Sequence, residues 1–387
     1  MSGYGFVTKF LQRARTLYGS KIGIVDGERR LAYAEYGERV DRLSHALASL
    51  GVQQGDRVAF LGPNGHPLLE AYYGVVQMGA ILLPLNIRLT PADFEFMLND
   101  AGASLILVER SLRDLIDPIR AQVPSLKTVI LVGEGERSDD PDYEEILAAA
   151  PSGPYGGPSM DEDDVAEIFY TSGTTGKSKG VMLSHRALYA NAFNFITAQG
   201  MTDKDTMLHT IPLFHVNGWG TPHALTAVGG RHICLRAFQP APVLEMIQRE
   251  RVTLTALVPT MVNAMGNFPE LDRYDISSLR RIVVGGAPSP WTLVEQVHAK
   301  LGCEYVVGYG MTESAPILCV SELKETLRDL PPEEQARYMA KTGLPVLGCE
   351  VRVVDEHGKE VARNGEEVGE IVARGDNIMT GYWRRPE

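Results

Sequence analysis

Residues 170–180 read YTSGTTGKSKG, a stretch rich in glycine and hydroxyl side chains that directly follows the apolar run VAEIFY. Its tripeptide GKS at 176–178 matches the end of a Walker A loop, G-x-x-x-x-G-K-[ST]. That motif requires glycine at position 171, where this chain has Thr171. The spacing therefore excludes a P-loop, and the stretch predicts another kind of loop between a strand and a helix.

The same loop carries the groups that bind a polyphosphate. Glycines let backbone N–H groups form a concave nest around an anion, while hydroxyls add donors and lysines add charge. The side chains in question are Thr171, Ser172, Thr174, Thr175, Lys177 and Lys179. A solvated Gly/Ser turn is the alternative interpretation, and the density of donors favours the phosphate site.

Short apolar runs bounded by glycine, proline or aspartate recur along the chain and predict buried strands. They are RVAFLG (57–62), SLILVE (104–109), TVILVG (128–133), VAEIFY (165–170), VTLTALV (252–258), RIVVGG (281–286) and CEYVVG (303–308). Amphipathic segments of helical length lie between them. Thr90-Pro91 predicts one helix start, and Ser289-Pro290 predicts another for a helix over 290–300. This alternation indicates an α/β fold with parallel sheets and with binding loops at the carboxyl ends of the strands.

The bulk composition narrows the class of protein. The 387 residues are 44% hydrophobic and 22% charged, which is typical of a globular protein, and the net charge of −12 argues against a nucleic-acid partner. The four cysteines form no C-x-x-C pair, so the common zinc and dithiol signatures are absent. The most apolar stretch, GAILLPL (79–85), is far shorter than the roughly 20 residues of a membrane span. We expect a reduced, cytoplasmic protein with no transmembrane segment.

Two regions depart from the strand–helix alternation. Residues 134–164 are acidic and rich in proline, glycine and serine, which predicts a solvated connection between subdomains. From about residue 343 the runs VRVVD and GEEVGEIVAR flank a turn at 356–358 without helical periodicity. A small β subdomain is therefore expected at this end.

The stretch YTSGTTGKSKGVMLSH (170–185) resembles the signature of the adenylate-forming enzymes, which include acyl-CoA synthetases, aryl-CoA ligases, luciferases and peptide-synthetase adenylation domains. Further segments are similar to that family in the same order. They are IPLFHVNGW (211–219), VVGGAPSP (283–290), GYGMTES (308–314), KTGLPVLGCEVRVVD (341–355) and GEIVARGDNIMTGYW (369–383). The resemblance implies the family's large N-terminal domain, with two βαβ sheet subdomains packed with helices and a small distorted β-barrel. We expect subdomains at 1–185, 186–335 and 336–387, the last one incomplete.

The resemblance also implies a role for individual residues. The nucleotide contacts are Thr171, Ser172, Gly173, Thr174, Thr175, Gly176, Lys179, Gly286, Ala287, Pro288, Gly308, Tyr309, Gly310, Met311 and Thr312. The catalytic set is Thr175, Lys179, Thr312 and Glu313, with Glu313 and Thr175 as the Mg²⁺ ligands. An aromatic face between two glycines can stack on a flat adenine, which suits Tyr309, and a carboxylate is the hard oxygen ligand that magnesium prefers. Taken alone, Glu313 would be interpreted as a solvated loop acid, and VVGGAPSP as a tight strand-to-helix turn.

The resemblance places the carboxylic acid substrate among His215, Val216, Trp219, Gly285 and Gly308. No carboxylate at recognisable spacing orients His215, so a lining role is favoured over that of a general base. A buried structural histidine is the alternative interpretation. The remaining histidines show no H-x-x-x-H pair, which disfavours a zinc site.

The activity that the resemblance implies uses ATP, Mg²⁺ and coenzyme A. A carboxylic acid, of medium or long chain by the similarity of FHVNGW, is activated to an acyl-adenylate with release of pyrophosphate. Coenzyme A then displaces AMP. An aryl-CoA ligase acting on cinnamate- or benzoate-type acids, or a non-catalytic module that binds acyl groups and nucleotides, are the alternatives. A homodimer is left open.

The printed sequence ends four residues after GYW. The family's Thr-Gly-Asp motif, its hinge and its lysine-bearing C-terminal domain would follow that point. We expect a truncated chain that adenylates weakly or not at all, because loss of one charge-stabilising donor commonly costs about 10²- to 10³-fold in rate.

Overall fold

The computed structural model describes residues 5–171 and 178–385. Its strands are β1 (Ile22–Asp26), β2 (Arg29–Ala32), β3 (Arg57–Leu61), β4 (Ile81–Pro84), β5 (Leu105–Glu109), β6 (Thr128–Val132), β7 (Val165–Thr171), β8 (Lys179–Ser184), β9 (Thr206–His209), β10 (Arg231–Cys234), β11 (Leu254–Leu257), β12 (Arg281–Val284), β13 (Glu304–Gly310), β14 (Ile317–Val320), β15 (Leu344–Pro345), β16 (Cys349–Val354), β17 (Glu370–Gly375) and β18 (Gly381–Tyr382). Each of the seven apolar runs singled out in the sequence forms a strand, so those predictions are confirmed.

Helices separate most of the strands. They are α1 (Lys9–Tyr18), α2 (Tyr33–Ser49), α3 (His66–Gly74), α4 (Pro91–Ala101), α5 (Tyr143–Ala149), α6 (His185–Gln199), α7 (Val216–Trp219), α8 (Thr221–Val228), α9 (Pro240–Glu250), α10 (Pro259–Gly266), α11 (Trp291–Leu301) and α12 (Pro332–Met339). In the described ranges, no helix combines the length and the apolar character that crossing a membrane requires.

Within the described ranges the strands form three sheets. One has nine strands in the order β15-β14-β13-β12-β11-β9-β10-β1-β2, one has seven in the order β18-β8-β7-β4-β3-β5-β6, and β16 pairs with β17 alone. The inner strands of both large sheets run parallel, from β13 to β1 and from β7 to β6. The edges are antiparallel. The predicted α/β class is confirmed, and the third unit is a two-stranded antiparallel sheet.

The subdomain boundaries at residues 185 and 335 stay a prediction, and the sheets draw on segments from both sides of them. Strands β1 and β2 belong to the nine-stranded sheet with β9 to β15. Strand β18 joins the seven-stranded sheet by pairing with β8, where Gly381 faces Met182. The two ends of the chain are therefore tied into the sheets that the middle of the chain builds.

Apolar side chains fill the space between the sheets and their helices. Among the described residues one cluster contains the buried face of β3 and β7 with α2, α3 and α6, and a second contains β11 to β13 with α9 and α11. A third covers the opposite face of β3 and β5 under α4. Because both faces of each parallel sheet are covered, ligands are left access mainly at the strand ends.

Two helix starts show how local chemistry sets the element boundaries. The Thr90 side chain accepts a hydrogen bond from the Asp93 amide, and the Asp93 carboxylate accepts one from the Thr90 amide, so the predicted start of α4 is confirmed. Helix α11 starts one residue later than predicted, because Pro290 has extended backbone angles and acts as the cap. A proline at either place loses no helical hydrogen bond.

The prediction of a solvated connection over residues 134–164 is wrong for its middle part, which contains α5. The Asp142 carboxylate caps this helix by accepting from two backbone amides. The buried Tyr143 hydroxyl donates to the Glu70 carboxylate at 2.5 Å, and Glu144 accepts two hydrogen bonds from Arg39. The acidic composition of the segment is used in these contacts, which sequence composition alone does not reveal.

The same region holds His66 at the start of α3. Its Nδ1 lies 2.7 Å from Asp26 and its Nε2 lies 3.6 Å from Glu144 and 3.1 Å from the guanidinium of Arg29. Burial acts to lower the pKa of His66, but the hydrogen bond to Asp26 and the nearby Glu144 carboxylate outweigh it and raise the pKa to about 9. The imidazole is therefore charged at neutral pH and holds β1 against α3.

This raised pKa predicts a pH-dependent contribution to stability. Since the pKa of an unfolded histidine is about 6.5, the stabilisation from His66 is complete below that pH and is lost as the pH rises through about 9. We expect His66→Gln to lower the free energy of unfolding more at pH 6 than at pH 9.5, by on the order of 2 kcal/mol. Urea titrations at both pH values measure this difference, with the exposed His298→Gln as the control. An equal loss at both pH values would contradict the assignment.

Candidate active site

A cavity of about 370 Å³ lies where β12 and β13 end, beside the last residue of β7. It is lined by Thr171, Phe195, His215, Val216, Trp219, Val283, Gly286, Gly308, Tyr309, Gly310, Met311, Thr312, Glu313, Pro316 and Ile317. The carboxyl edge of a parallel sheet is the usual place for a ligand in an α/β protein. Residues that are up to 146 positions apart in sequence, from Thr171 to Ile317, thus share one surface.

Glycines bring backbone segments into close approach on this side of the sheet. A Cβ on Gly310 would overlap the carbonyl oxygen of Pro316, and one on Gly285 would stand 2.7 Å from the carbonyl oxygen of Gly308. A larger residue at either position would push neighbouring strands apart. The glycines of GYGMTES and VVGGAPSP therefore allow β12, β13 and the turn before β14 to meet at the cavity.

The segment after β13 presents the polar groups of the cavity. Thr312 is buried, and Glu313 is partly exposed. The Glu313 Oε1 atom accepts a hydrogen bond from the Tyr382 hydroxyl at 2.9 Å, and its backbone carbonyl accepts from the Met379 amide at 2.8 Å. Burial, followed by this hydrogen bond to a carboxylate, raises the pKa of Tyr382. The GYW segment near the end of the chain therefore fixes the acid at the cavity.

Lys179 begins β8 directly opposite Thr171 of β7. Its Nζ atom lies 5.2 Å from the centre of the Tyr382 ring, a cation–π distance. Lys179 is not among the residues that line the cavity, but it is joined to Glu313 through Tyr382. A cation and an acid thus contact the same tyrosine ring and hydroxyl. Residues 172–177, between Thr171 and Lys179 in the sequence, lie outside the described part of the chain.

Residues 216–220, which include the short element α7, have left-handed backbone angles. We call this segment the left-handed turn. The backbone φ angles are 38° at Val216, 43° at Asn217, 54° at Gly218, 64° at Trp219 and 75° at Gly220. Left-handed geometry costs roughly 1–2 kcal/mol for each residue other than glycine, so surrounding contacts must hold this turn. It places Val216 and Trp219 on the cavity wall.

The Trp219 indole packs on Gly285 and Gly286. Its ring atoms lie 3.3 Å and 3.6 Å from the points where Cβ atoms on these two glycines would stand. His215 precedes the turn and is exposed at the cavity mouth. Nearby protein atoms partly desolvate its imidazole, and this, followed by the positive charge of Arg88, lowers the pKa of His215.

The structure brings together most of the residues predicted for the site and leaves some apart. Thr171, His215, Val216, Trp219, Gly286, Gly308, Tyr309, Gly310, Met311, Thr312 and Glu313 line the cavity. Ala287 and Pro288 are exposed beside it, and Gly285 is buried behind Trp219. Ser172, Gly173, Thr174, Thr175 and Gly176 lie outside the described residues. The roles given to all these residues stay predictions.

Sequence reasoning missed four apolar members of the wall. Phe195 lies on α6, Val283 on β12, and Pro316 and Ile317 at the start of β14. Val283 is the first residue of VVGGAPSP, and Pro316 follows GYGMTES by two residues, so a signal was available for both. Phe195 carries no such signal, because only the packing of α6 against β14 brings it to the cavity.

The donor set suits one magnesium ion held together with phosphate oxygens. Among the described residues no group of three histidine, cysteine, aspartate or glutamate side chains could enclose a metal. Glu313 alone offers a carboxylate to the cavity, and its Oε2 atom accepts no hydrogen bond from the described residues. Magnesium is usually bound by one or two carboxylates while phosphates and waters fill its other positions, so the fit is adequate.

Comparisons with known proteins identify the class. The family model for AMP-binding enzymes matches residues 11–383. The chain is 37% identical over 390 residues to the long-chain-fatty-acid–CoA ligase of Thermus thermophilus, covering 98% of this chain and 70% of that protein. It is 36% identical over 366 residues to the feruloyl-CoA synthase of an Amycolatopsis species, covering 93% of this chain and 68% of that protein. The chain therefore belongs to the AMP-binding enzyme family.

A solved structure agrees in fold. The inhibitor-bound N-terminal domain of FACL13 from Mycobacterium tuberculosis superposes with a TM-score of 0.88 at 28% identity, covering 98% of this chain and 92% of that one. The chain is thus the N-terminal domain of the adenylate-forming fold, and the resemblance seen in the sequence is confirmed. Its relatives are acyl-CoA ligases, which are enzymes.

The close approach at Gly310 predicts a steric requirement. We expect Gly310→Ala to lower the free energy of unfolding by about 3 kcal/mol, because its Cβ would meet a backbone carbonyl that cannot rotate away. Gly156→Ala is the matched control, since no atom lies within 4 Å of its Cβ, and we expect a change within about 0.5 kcal/mol. Urea unfolding followed by circular dichroism measures both. Equal midpoints for the two variants would show that the backbone here is not crowded.

Proposed function

We propose that this protein activates a carboxylic acid with ATP to an acyl-adenylate and then forms the acyl-CoA, releasing pyrophosphate and AMP. The observation that carries the proposal is that Tyr309, Thr312 and Glu313 line the same cavity as Val216 and Trp219. The cavity lining thus combines a flat aromatic ring, a hydroxyl and a carboxylate with apolar side chains. A nucleotide joined to an acyl group has the same combination of polar and apolar parts.

In the first step an oxygen of the acid forms a bond to the α-phosphorus of ATP, and the bond to the bridging oxygen breaks as pyrophosphate leaves. Tyr309 stacks on the adenine, and Thr312 donates to the α-phosphate or the acid. Magnesium, when held by Glu313 and Thr175, supplies positive charge to the phosphates. The protein's own contribution is position and electrostatic stabilisation, the usual basis of phosphoryl-transfer catalysis.

In the second step the sulfur of coenzyme A forms a bond to the acyl carbonyl carbon as the thiol proton passes to solvent, and AMP leaves with the electrons of the former anhydride bond. His215, at the mouth of the cavity, lines the way to that carbonyl. Among the described residues no carboxylate hydrogen-bonds to its imidazole, which supports a lining role over that of an oriented general base. The alternative of a buried structural histidine does not agree with its exposure.

The acid is proposed to be a medium- or long-chain fatty acid. Phe195, Val216, Trp219, Val283 and Ile317 form an apolar part of the cavity lining. The name of the Thermus relative supports a fatty acid, whereas that of the Amycolatopsis relative supports an aryl acid. An aryl-CoA ligase is therefore the second candidate. Cytoplasmic location and a homodimer stay predictions.

The decisive experiment is acid-dependent ATP–pyrophosphate exchange across dodecanoic, hexadecanoic, cinnamic and benzoic acids. Binding of dodecanoyl- and cinnamoyl-sulfamoyl-adenosine by isothermal titration calorimetry accompanies it. Exchange with the fatty acids supports the proposal, and exchange with cinnamic acid alone supports the aryl alternative. Tight binding of an analogue without any exchange supports the non-catalytic module.

The proposed magnesium contact gives a prediction that needs no turnover. We expect Mg²⁺ to strengthen ATP binding by the parent protein, and Glu313→Gln to lose about 10-fold of this gain while AMP binding changes less than twofold. Calorimetric titrations with and without Mg²⁺ measure the gain. Glu322→Gln, which changes an exposed acid just beyond β14, is the matched control. An unchanged Mg²⁺ effect in Glu313→Gln would remove this residue from the metal site.

A further inference from the structure

The left-handed turn is held by a buried carboxylate that belongs to none of the segments that carry the family resemblance. Glu167, on β7, is fully buried, and its Oε2 atom accepts a hydrogen bond from Asn217 Nδ2 at 2.9 Å. Its Oε1 atom lies 2.9 Å from Nε2 of His223, the third residue of α8. The Oδ1 atom of Asn217 has no partner among the described residues, so its side chain is anchored through this carboxylate.

The contacts of His223 continue into a chain of buried side chains. Its Nδ1 atom lies 3.3 Å from the Tyr73 hydroxyl, which also bonds to Thr226. Thr226 lies 3.1 Å from Nε2 of His232, whose Nδ1 atom lies 2.9 Å from Nε2 of His209. We call these residues, together with Glu167, Asn217 and Thr221, the buried polar network.

The far end of the network returns to the same turn. Thr221 lies 3.3 Å from Nδ1 of His209, and its hydroxyl donates to the carbonyl oxygen of Gly218 at 2.8 Å. Burial lowers the pKa of His209 to about 3, so this imidazole is neutral and acts as a fixed hydrogen-bonding link. The turn is therefore held at Asn217 and at Gly218 by two ends of one network.

The turn supplies Val216 and Trp219 to the apolar wall of the cavity, and Glu167 lies four residues before the cavity residue Thr171 on the same strand. The carboxylate thus ties the strand that leads into the phosphate loop to the turn that carries Val216 and Trp219. Since the left-handed backbone is unfavourable for Val216 and Trp219, these side chains keep their places only while the turn is held.

We propose that Glu167 and Asn217 are positioning residues that set the acyl-facing wall of the cavity relative to its nucleotide side. The inference rests on the proposed function, since it assigns that wall to the acyl group. It predicts that loss of the Glu167–Asn217 bond weakens binding of the acyl part of an acyl-adenylate while binding of AMP is retained. A role in folding alone predicts that both affinities change together or that neither changes.

The substitutions separate position from stability. Glycine adopts the φ of 43° at residue 217 without steric cost, so Asn217→Gly removes the anchor without adding backbone strain. Glu167→Leu removes both hydrogen bonds. In Glu167→Gln the amide oxygen still accepts from Asn217, and the amide nitrogen donates to a His223 tautomer protonated on Nδ1. Ser44→Ala is the control, because it removes buried hydrogen bonds on α2, away from the cavity.

The measurement is the ratio of the dissociation constants for AMP and for dodecanoyl-sulfamoyl-adenosine, with the cinnamoyl analogue in parallel, on the 387-residue chain. We expect the parent to bind one of the two acyl analogues about 100-fold or more tightly than it binds AMP. Asn217→Gly and Glu167→Leu should each lose at least 10-fold of this preference with AMP affinity within threefold. Glu167→Gln and Ser44→Ala should keep it within threefold. The double variant should lose no more than Glu167→Leu alone, since that substitution already removes the bond that Asn217→Gly breaks.

Each outcome decides a different statement. If the parent prefers neither acyl analogue over AMP, the proposed function and the inference both fail. If the parent shows the preference and Asn217→Gly retains it, the inference fails while the proposed function stands. Should Glu167→Leu not fold, as judged by circular dichroism, Asn217→Gly and Glu167→Gln still give the comparison. Equal loss of preference in Ser44→Ala would show a general effect of lost stability and would also overturn the inference.

Discussion

The hydrogen bonds that hold residues 209–217 between the two large sheets are the constraint on which the cavity depends. From the connection between β3 of the seven-stranded sheet and α3, Asn64 donates to the carbonyl oxygens of His209 and Ile211 and accepts from the Leu213 amide. Glu167 accepts from Asn217, further along the same segment. The segment itself follows β9 of the nine-stranded sheet. One sheet thus fixes the path of a connection that belongs to the other, and the cavity forms along that path.

Hydrogen bonds fix the path of this connection more precisely than apolar packing does, because they depend on direction. Asn64 is almost fully buried and Glu167 is fully buried. A buried polar group that loses its partner lowers the stability of the folded state by about 1–3 kcal/mol. A shift of the connection by a single residue would leave several such groups unpaired at once. Apolar contacts change more gradually, because neighbouring side chains can repack. The buried polar groups therefore select one register for the connection.

The repeating elements of the fold were predictable from sequence, because their signal is local. Apolar runs gave the strands, and the Thr90–Asp93 capping box gave the start of α4. The missed helix α5 shows the limit, since its Glu144 and Tyr143 are explained only by their partners Arg39 and Glu70 on distant helices. Phe195 is a similar case, since its place at the cavity depends on how a whole helix packs. Contacts between residues that are far apart in the sequence produce no recognisable local spacing, so a motif does not predict them.

The left-handed turn shows the same limit at the site itself. The segment FHVNGW indicated a pocket through His215 and Trp219, but the sequence holds glycine at only two of the five left-handed positions, 218 and 220. Val216 is β-branched and disfavours that geometry strongly, so local propensity predicts another conformation. Its backbone is set by Glu167, which is 49 residues earlier, and by contacts of Thr221 through a pair of buried histidines. A strained turn that distant groups hold in one conformation presents Val216 and Trp219 in fixed positions, which is the property that a binding wall requires.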